Sequence, residues 1–244
     1  MDRNTAKHRS GPVTPAVHQP FTDPSTWYEA VYSSAENDIN KVPWARSADY
    51  SLLTHWLSEQ HQTFANRRAL VVGCGLGDHA EMFARLGLQV TAFDIAPRAI
   101  DWCRQRFPTS AVAYQVADLF QLPEAWQSAF DLVFDAFTIQ SLPPDLHDRA
   151  IAAIADTVTK AGTLLIMCHG RESGEPTDGP PWALAHTELD LFLHSGLQEV
   201  RFQDQERAGV RRFLVEYRKP QEALESSDST ADDRDARRIR ASHR

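Results

Sequence analysis

The strongest constraint on the fold of this chain is a glycine-rich turn that follows a short apolar stretch. Leu70-Val71-Val72 has the character of a buried strand, and it runs directly into Gly73-Cys74-Gly75-Leu76-Gly77, after which a helical pattern begins. Because glycine has no Cβ, such a turn bends sharply and lets a ligand approach the backbone. A strand, a glycine turn and a helix in this order are typical of a nucleotide-binding unit.

Two more apolar stretches end on acidic residues. Residues 90–94 are predicted to be the second strand, and the last of them, Asp94, lies about 20 residues after the first glycine of the turn. At this spacing a carboxylate meets the hydroxyls of a bound ribose. Residues 112–119 are predicted to be a third strand, which ends on Asp118 and Leu119.

The remaining pattern fits a doubly wound sheet. Residues 130–135 and 162–168 are predicted to be the fourth and fifth strands, and residues 197–204 and 210–217 an antiparallel hairpin. We therefore predict an α/β fold with a Rossmann-like sheet that is mostly parallel, a C-terminal antiparallel hairpin, and helices on both faces. In such a sheet, ligands bind at the carboxyl ends of the strands.

The composition excludes several classes of partner. A formal net charge of −8 argues against broad binding of nucleic acid or of an anionic membrane surface. The apolar runs fall short of the roughly 18 residues that a membrane span requires. The three cysteines show no Cys-x-x-Cys spacing and the histidines no metal-ligand spacing, so we expect reduced thiols, no metal and a cytoplasmic protein.

The three strand ends together resemble a known enzyme family. Strands that end on Gly-x-Gly-x-Gly, on Asp and on Asp-Leu resemble those of the class I S-adenosylmethionine-dependent methyltransferases. The dinucleotide dehydrogenases differ, because their fingerprint is Gly-x-Gly-x-x-Gly and Asp78 stands where its third glycine would be. One departure is Val71, which stands where the family often has an acid near the methionine amino group.

Further residues resemble one group within that family. Trp27-Tyr28 and Pro43-Trp44, followed by Asp94-Ile95 and residues 117–120, look like the thiopurine and halide/thiol methyltransferases. In that group an amino-terminal segment covers the cofactor and helps to form the substrate pocket. Ala45 stands where an aspartate often follows the Pro-Trp pair, so the substrate of the group is not carried over.

Composition and resemblance divide the chain into four parts. Residues 1–20 are predicted to be a disordered tail and residues 21–68 an N-terminal helical lid segment. Residues 69–219 are predicted to be the S-adenosylmethionine-binding domain, and residues 220–244 a disordered charged tail.

The resemblance also implies which residues hold the cofactor. The glycine turn would approach the methionine part, Asp94 the ribose hydroxyls and Asp118 the adenine amino group. The implied cofactor-binding residues are Trp27, Trp44, Gly73, Cys74, Gly75, Gly77, Asp94, Ile95, Asp118 and Leu119. The product of the cofactor would be S-adenosylhomocysteine.

The acceptor is expected beyond the fourth and fifth strands. Asp135 ends the fourth strand and is the best carboxylate candidate for a general base. His169 and Arg171 follow the fifth strand, where they would deprotonate or anchor an anionic substrate, and these three are the candidate catalytic residues. The alternative is that the two loop residues are simply solvated. By their place in the fold, the candidate substrate-binding residues are Tyr28, Phe137, Thr138, Gln140 and Trp182.

The function expected from these features is transfer of a methyl group to sulfur or nitrogen of a small molecule, or to a halide, by a monomer or weak homodimer. Because a sulfonium already activates the methyl group, in-line placement of the nucleophile supplies much of the acceleration. Two alternatives remain open. One is an O-methyltransferase of another small metabolite, and the other is a noncatalytic protein that binds S-adenosylmethionine.

Overall fold

The computed structural model describes residues 24–46, 51–60 and 63–221 of the 244-residue chain. The two predicted tails lie outside the described residues, apart from residues 220 and 221. The predicted lid segment is described in part, from α1 to the start of the sheet.

Helices and strands alternate along the described chain. The helices are α1 (Pro24–Ser34), α2 (Ser51–Ser58), α3 (Asp78–Arg85), α4 (Pro97–Arg106), α5 (His147–Thr157), α6 (His186–Leu189) and α7 (Leu191–His194). The strands are β1 (Arg68–Val72), β2 (Gln89–Asp94), β3 (Ala113–Val116), β4 (Phe130–Ala136), β5 (Val158–Arg171), β6 (Leu184–Ala185), β7 (Gln198–Arg207) and β8 (Val210–Arg218). A short 3-10 turn at Pro43–Arg46 precedes α2.

The strands form a mixed sheet in the order β3-β2-β1-β4-β5-β8-β7, and β6 pairs with the end of β5. Within the group β1 to β5, adjacent strands are parallel, whereas β8 is antiparallel to both β5 and β7. This confirms the predicted Rossmann-like sheet with its C-terminal antiparallel hairpin. The direction of winding reverses between β1 and β4, and the crevice beside their carboxyl ends is where ligands bind in such folds.

Each central strand divides its side chains between two core layers. In β4, Leu132 and Phe134 lie in the layer that also contains residues of α2, α3 and α4, whereas Val133 lies in the layer of α5 and α7. This follows from the two-residue period of a strand, and it explains why strands covered on both faces read as continuous apolar runs. A smaller cluster, which includes Tyr32 and Trp102, joins α1 to α4.

One predicted helix is replaced by two separate turns. The pattern over residues 122–129 predicts a short helix, but the chain forms 3-10 turns at Leu119–Gln121 and Glu124–Trp126. Pro123 precedes the second turn, where a proline is compatible with the start of a helix. Ser128 has a φ of +48°, so a helix cannot continue to residue 129.

The segment before β7 also differs from its prediction. Thr187 and Asp190 predict a capping box and a single helix, whereas the chain forms the two four-residue helices α6 and α7. The capping contact lies elsewhere, because the Ala185 N–H donates to the Glu188 carboxylate at 2.6 Å.

The end of the glycine turn is tightly packed. Gly77 has a φ of +87°, and a Cβ there would lie 2.6 Å from the Tyr114 hydroxyl oxygen and 3.1 Å from the Cys103 Sγ. The Tyr114 hydroxyl donates to the Glu81 carboxylate at 2.8 Å, which holds it in place. Glycine at this position is therefore required both by backbone conformation and by space.

We expect Gly77→Ala to destabilise the fold by about 3 kcal/mol, because it adds overpacking to the cost of a left-handed alanine. Gly196→Ala is the matched control, since Gly196 has a φ of +81° and a Cβ added there would have no neighbour within 4 Å among the described residues. Gly196→Ala should lower the free energy of unfolding only by the cost of a left-handed alanine, about 1 kcal/mol. Urea unfolding followed by circular dichroism measures both losses, and equal losses would contradict the packing argument.

Candidate functional site

The carboxyl ends of β1 and β2 meet at the buried carboxylate of Asp94. One of its oxygens accepts the Gly75 N–H at 2.9 Å, and the other accepts the Ala96 N–H at 3.0 Å. The Cys74 N–H donates to the Phe93 carbonyl at 2.8 Å, which ties the same two strand ends together. The acid and the glycine turn singled out from the sequence are therefore in direct contact.

The carboxylate of Asp94 keeps hydrogen-bonding capacity beyond its backbone contacts. The side chain is buried, and burial raises the pKa of its carboxyl. The N–H groups of Ala96, Gly75 and Ile95 act in the opposite direction, because they stabilise the charged form. A carboxylate has about four lone-pair sites, so these oxygens retain the capacity to accept hydroxyl groups of a ligand.

Aromatic side chains of the amino-terminal segment lie over the glycine turn. A Cβ at Gly75 would lie 3.3 Å from the Tyr32 hydroxyl and 3.9 Å from the Trp44 Nε1, and the Trp44 N–H donates to that hydroxyl at 3.1 Å. The ring centroids of Trp27 and Tyr28 lie 6.2 Å and 5.6 Å from that of Trp44. We call Trp27, Tyr28, Tyr32 and Trp44 the aromatic cluster. Sequence reasoning missed Tyr32, although it lies one helical turn after Tyr28 on the same face.

Two hydrogen bonds hold α1 in this position. The Tyr28 hydroxyl donates to the Ser141 carbonyl, beyond β4, at 2.9 Å. The Glu29 carboxylate accepts the Arg98 N–H, at the start of α4, at 2.9 Å. Burial raises the pKa of Tyr28 to about 12, so its hydroxyl remains a donor at neutral pH.

The turn after β3 carries two of the implied adenine contacts. The Asp118 carboxylate accepts the Phe120 N–H at 2.9 Å, and Leu119 is buried in the layer of α5. The Ala117 N–H donates to the Asp94 carbonyl at 3.1 Å, which brings this turn beside the end of β2. Ile95, directly after Asp94, is half-buried.

The turn after β4, residues 137–141, is tied to several neighbouring elements, and we call it the β4 turn. The Thr138 hydroxyl donates to the carbonyl of the last residue of β1 at 3.2 Å. The Gln140 side-chain oxygen accepts the His169 N–H at 2.5 Å, and the Gln140 carbonyl accepts the Trp182 N–H at 2.7 Å. These contacts bring together residues that are widely separated in the sequence.

His169 and Arg171 lie within β5 rather than after it, because β5 extends to Arg171. The half-buried His169 ring lies 5.2 Å from the ring of Phe137. Burial and the charge of Arg212 lower the pKa of His169, so its imidazole is mainly neutral at pH 7. Arg212, the register partner of His169 on β8, was not predicted, since the sequence does not reveal how β5 pairs with β8.

Arg171 is engaged by the scaffold. Its guanidinium donates to the Ala183 carbonyl at 2.8 Å, to the Glu172 carbonyl at 3.1 Å and to the Glu188 carboxylate at 2.7 Å. It therefore joins β5 to the following loop and to α6. Its role as an anchor for substrate stays a prediction, and this bonding pattern favours a structural role.

Three other predicted residues are packed in the interior beside these strand ends. Asp135 is fully buried, one of its oxygens accepts the Thr138 N–H at 3.2 Å, and burial raises its pKa to about 6. A hydrogen bond with Cys103 and burial raise the pKa of the Cys74 thiol, so it is a poor nucleophile. Gly73 has a φ of +54°, and a Cβ there would lie 2.3 Å from the Thr138 Oγ1.

Within the described ranges, one group of potential metal ligands comes together away from these strand ends. Ligand atoms of His186, Asp190 and Glu199 lie within 4.8 Å of one another. The His186 Nε2 lies 2.8 Å from the Glu199 carboxylate, and the ring stacks on Phe202 at 3.8 Å. An ordinary hydrogen-bonded pair between α6 and the hairpin accounts for this arrangement.

Comparison with known proteins finds similarity in the central part of the chain. Residues 69–162 match the family model described as "Methyltransferase domain". The chain is 36% identical over 106 residues to a ubiquinone biosynthesis O-methyltransferase of Xanthomonas campestris, a stretch that spans 43% of this chain and 44% of that relative. It is also 24% identical over 174 residues to "Probable thiol methyltransferase 2" of Arabidopsis thaliana, over 70% of this chain and 75% of that relative.

A solved structure agrees on the fold. The 1,6-didemethyltoxoflavin-N1-methyltransferase of Burkholderia thailandensis, with bound 1,6-didemethyltoxoflavin and S-adenosylhomocysteine, superimposes with a TM-score of 0.63 at 19% identity, over 84% of this chain and 93% of that chain. No helix in the described part of the chain has the length and apolar character needed to cross a membrane. Residues 69–162 thus resemble a methyltransferase domain, and the described chain has the fold of that solved structure.

Proposed function

We propose that this chain is an S-adenosylmethionine-dependent methyltransferase that moves a methyl group to a sulfur or nitrogen atom of a small molecule, or to a halide. The observation that carries the proposal is the contact between the Asp94 carboxylate and the Gly75 N–H. This contact supports the proposal, because a carboxylate that would accept ribose hydroxyls lies against a backbone that a ligand can approach closely. The match of residues 69–162 to a methyltransferase domain supports the same conclusion.

The adenosine part of the cofactor would lie at the ends of β2 and β3. Asp94 would accept the ribose hydroxyls through its remaining lone pairs. Ile95 and Leu119 would contact the adenine ring, and Asp118 would accept from the adenine amino group. The turn that contains Asp118 is held beside Asp94 by the Ala117 N–H, which supports this division of roles.

The methionine part would lie between the glycine turn and the aromatic cluster. Residues 73–77 would approach it with their backbone, and the faces of Trp27 and Trp44 would attract the positive charge at sulfur. Bound S-adenosylmethionine supplies a methyl group that its sulfonium has already activated. The contribution of this chain would be to exclude water and to align the acceptor with the S–CH₃ bond.

The acceptor would lie beyond the ends of β4 and β5. The proposed lining residues are Tyr28, Phe137, Thr138, Gln140 and Trp182, and the β4 turn connects them. A thiolate or a halide needs no base, whereas a neutral amine or thiol must lose a proton. The neutral imidazole of His169, beside Phe137, is then the proposed proton acceptor.

An O-methyltransferase is the second candidate, and the 36% identity to a ubiquinone biosynthesis O-methyltransferase favours it. A noncatalytic protein that binds the cofactor is the third. Calorimetry with S-adenosylhomocysteine, followed by a panel of thiols, halides, N-heterocycles and phenols with S-adenosylmethionine, distinguishes them. Cofactor binding without transfer to any acceptor would favour the third candidate.

We further propose a cytoplasmic enzyme that acts as a monomer or weak homodimer on a small molecule and not on nucleic acid. Its three cysteines are free and buried, which suits a reducing compartment. The net charge of −8 disfavours association with nucleic acid. Sedimentation with and without S-adenosylhomocysteine measures the oligomeric state.

We expect Asp94→Asn to weaken S-adenosylhomocysteine binding by about 2 kcal/mol, roughly thirtyfold, because an amide replaces the charged acceptor of two hydroxyls. Titration calorimetry measures the affinity, and thermal unfolding checks that the variant is folded. Asp101→Asn is the control, since the exposed Asp101 pairs with Arg104 on the surface of α4. A folded Asp94→Asn protein with the affinity of the parent would exclude the ribose role.

We expect Trp44→Ala to slow single-turnover methyl transfer about tenfold or more, and to lower cofactor affinity by a smaller factor. The substitution opens the aromatic cluster above Gly75 and admits water beside the reacting atoms. Trp44→Phe keeps a ring there while it removes the N–H donated to Tyr32, so it should retain most of the rate. Rapid quench with the best acceptor of the panel gives the rate. Full-rate transfer by Trp44→Ala would show that the cluster does not close the site.

A further inference from the structure

The β4 turn contacts every part of the proposed acceptor pocket. Its Thr138 side chain packs so closely on the glycine turn that Gly73 cannot carry a Cβ. Its Ser141 carbonyl accepts from Tyr28 of α1, and its Gln140 holds both β5 and the loop that follows β5. The shape of this turn therefore sets the distances between the cofactor site, the aromatic cluster and the end of β5.

Phe137 begins the turn in a conformation that bulky residues rarely adopt. Its φ is +67°, in the left-handed region. Its N–H donates to the Met167 carbonyl at 2.8 Å, and its carbonyl accepts the Ser141 hydroxyl at 2.7 Å. In this conformation its ring lies 5.2 Å from the ring of His169. Such a conformation persists only where surrounding contacts hold it, and functional sites are where it is found most often.

The carboxyl of Asp135 supplies one of the contacts that hold Phe137 in this conformation. The side chain is 0% exposed, and its Oδ1 accepts the N–H of Thr138, the residue after Phe137, at 3.2 Å. Its Oδ2 has no hydrogen-bond partner among the described residues, so no relay of described side chains leads from it. A general base must come within about 3 Å of the proton that it removes. Because the Asp135 carboxyl has no exposed surface, an acceptor in the proposed pocket does not come within that distance of it.

We propose that Asp135 is a positioning residue for the methyl acceptor and not its base: through the Thr138 N–H it keeps Phe137 in the left-handed conformation that sets its ring beside His169. The inference rests on the proposed function, because it concerns the acceptor pocket of that enzyme. In this proposal a residue of β4 shapes the pocket, and groups on β5 remove the proton. An oxygen of Asp135 accepts the Thr138 N–H whether the carboxyl is charged or neutral, so the positioning role does not depend on ionisation.

Three variants separate the two roles of the acid. Asp135→Asn keeps a carbonyl oxygen for the Thr138 N–H and removes the acid, whereas Asp135→Ala removes both. Asp131→Ala is the matched control, because at the amino end of the same strand the Asp131 carboxylate accepts the Arg68 N–H at 2.8 Å. The control loses the same kind of hydrogen bond far from the strand end that carries the site.

The measurements are S-adenosylhomocysteine affinity, kcat and KM for the best acceptor of the panel across the pH range, and amide hydrogen exchange of residues 137–141. We expect Asp135→Asn to retain kcat/KM within about threefold, with the pH profile and the exchange of the parent. We expect Asp135→Ala to raise the acceptor KM about tenfold and to speed exchange in the β4 turn, with unchanged cofactor affinity. Asp131→Ala should change neither the acceptor KM nor exchange in the turn.

Two results would overturn the positioning role. In the first, Asp135→Asn lowers kcat as much as Asp135→Ala does, and it also loses the acidic limb of the pH profile. That result would identify Asp135 as a base. In the second, Asp135→Ala keeps the acceptor KM and the slow exchange of the parent. Failure of the proposed function gives a different result. In that case the parent protein binds no S-adenosylhomocysteine, which appears in the first measurement, and no role in an acceptor pocket remains for Asp135.

Discussion

The architecture around the site depends on the hydrogen bonds that the buried carboxylate of Asp94 accepts from two backbone turns. One joins it to Gly75, which fixes the glycine turn against the end of β2, and the other joins it to Ala96, which fixes the start of α4. The start of α4 in turn supplies the N–H to which α1 is attached through Glu29. These contacts, together with the hydrogen bond from Tyr28 to the Ser141 carbonyl, hold the aromatic cluster over Gly75.

Much of the fold was predictable because its signals are local. Apolar strands covered on both faces and glycine at the turn are visible in the sequence, and the topology then brings Gly75, Asp94 and Asp118 to one edge of the sheet. What was missed depends on contacts between distant segments. The partner of Arg171 is Glu188 on α6, and the neighbour of His169 is Arg212 on β8. The first pairing requires the position of α6 beside the end of β5, and the second requires the register of β5 and β8.

The family match covers only part of the proposed site. The family match ends at residue 162, after the glycine turn, Asp94, Asp118 and the β4 turn. The aromatic cluster precedes the match, and His169 and Trp182 follow it. The proposed ribose and adenine contacts thus lie in the part of the chain that resembles a methyltransferase domain. The proposed acceptor pocket is divided, because Phe137, Thr138 and Gln140 lie within the match and Tyr28, His169 and Trp182 lie outside it. This is consistent with a common fold that carries different substrates on its added segments.

The place of β8 has a consequence for how the protein is made. β8 is the last described strand along the chain, yet it lies between β5 and β7 rather than at an edge. Until residues 210–218 leave the ribosome, β5 presents an unpaired edge next to the completed parallel half of the sheet. An unpaired edge is a template for the strands of other chains. The nascent protein therefore passes through an interval in which its sheet is open along β5, the strand that carries His169 and Arg171.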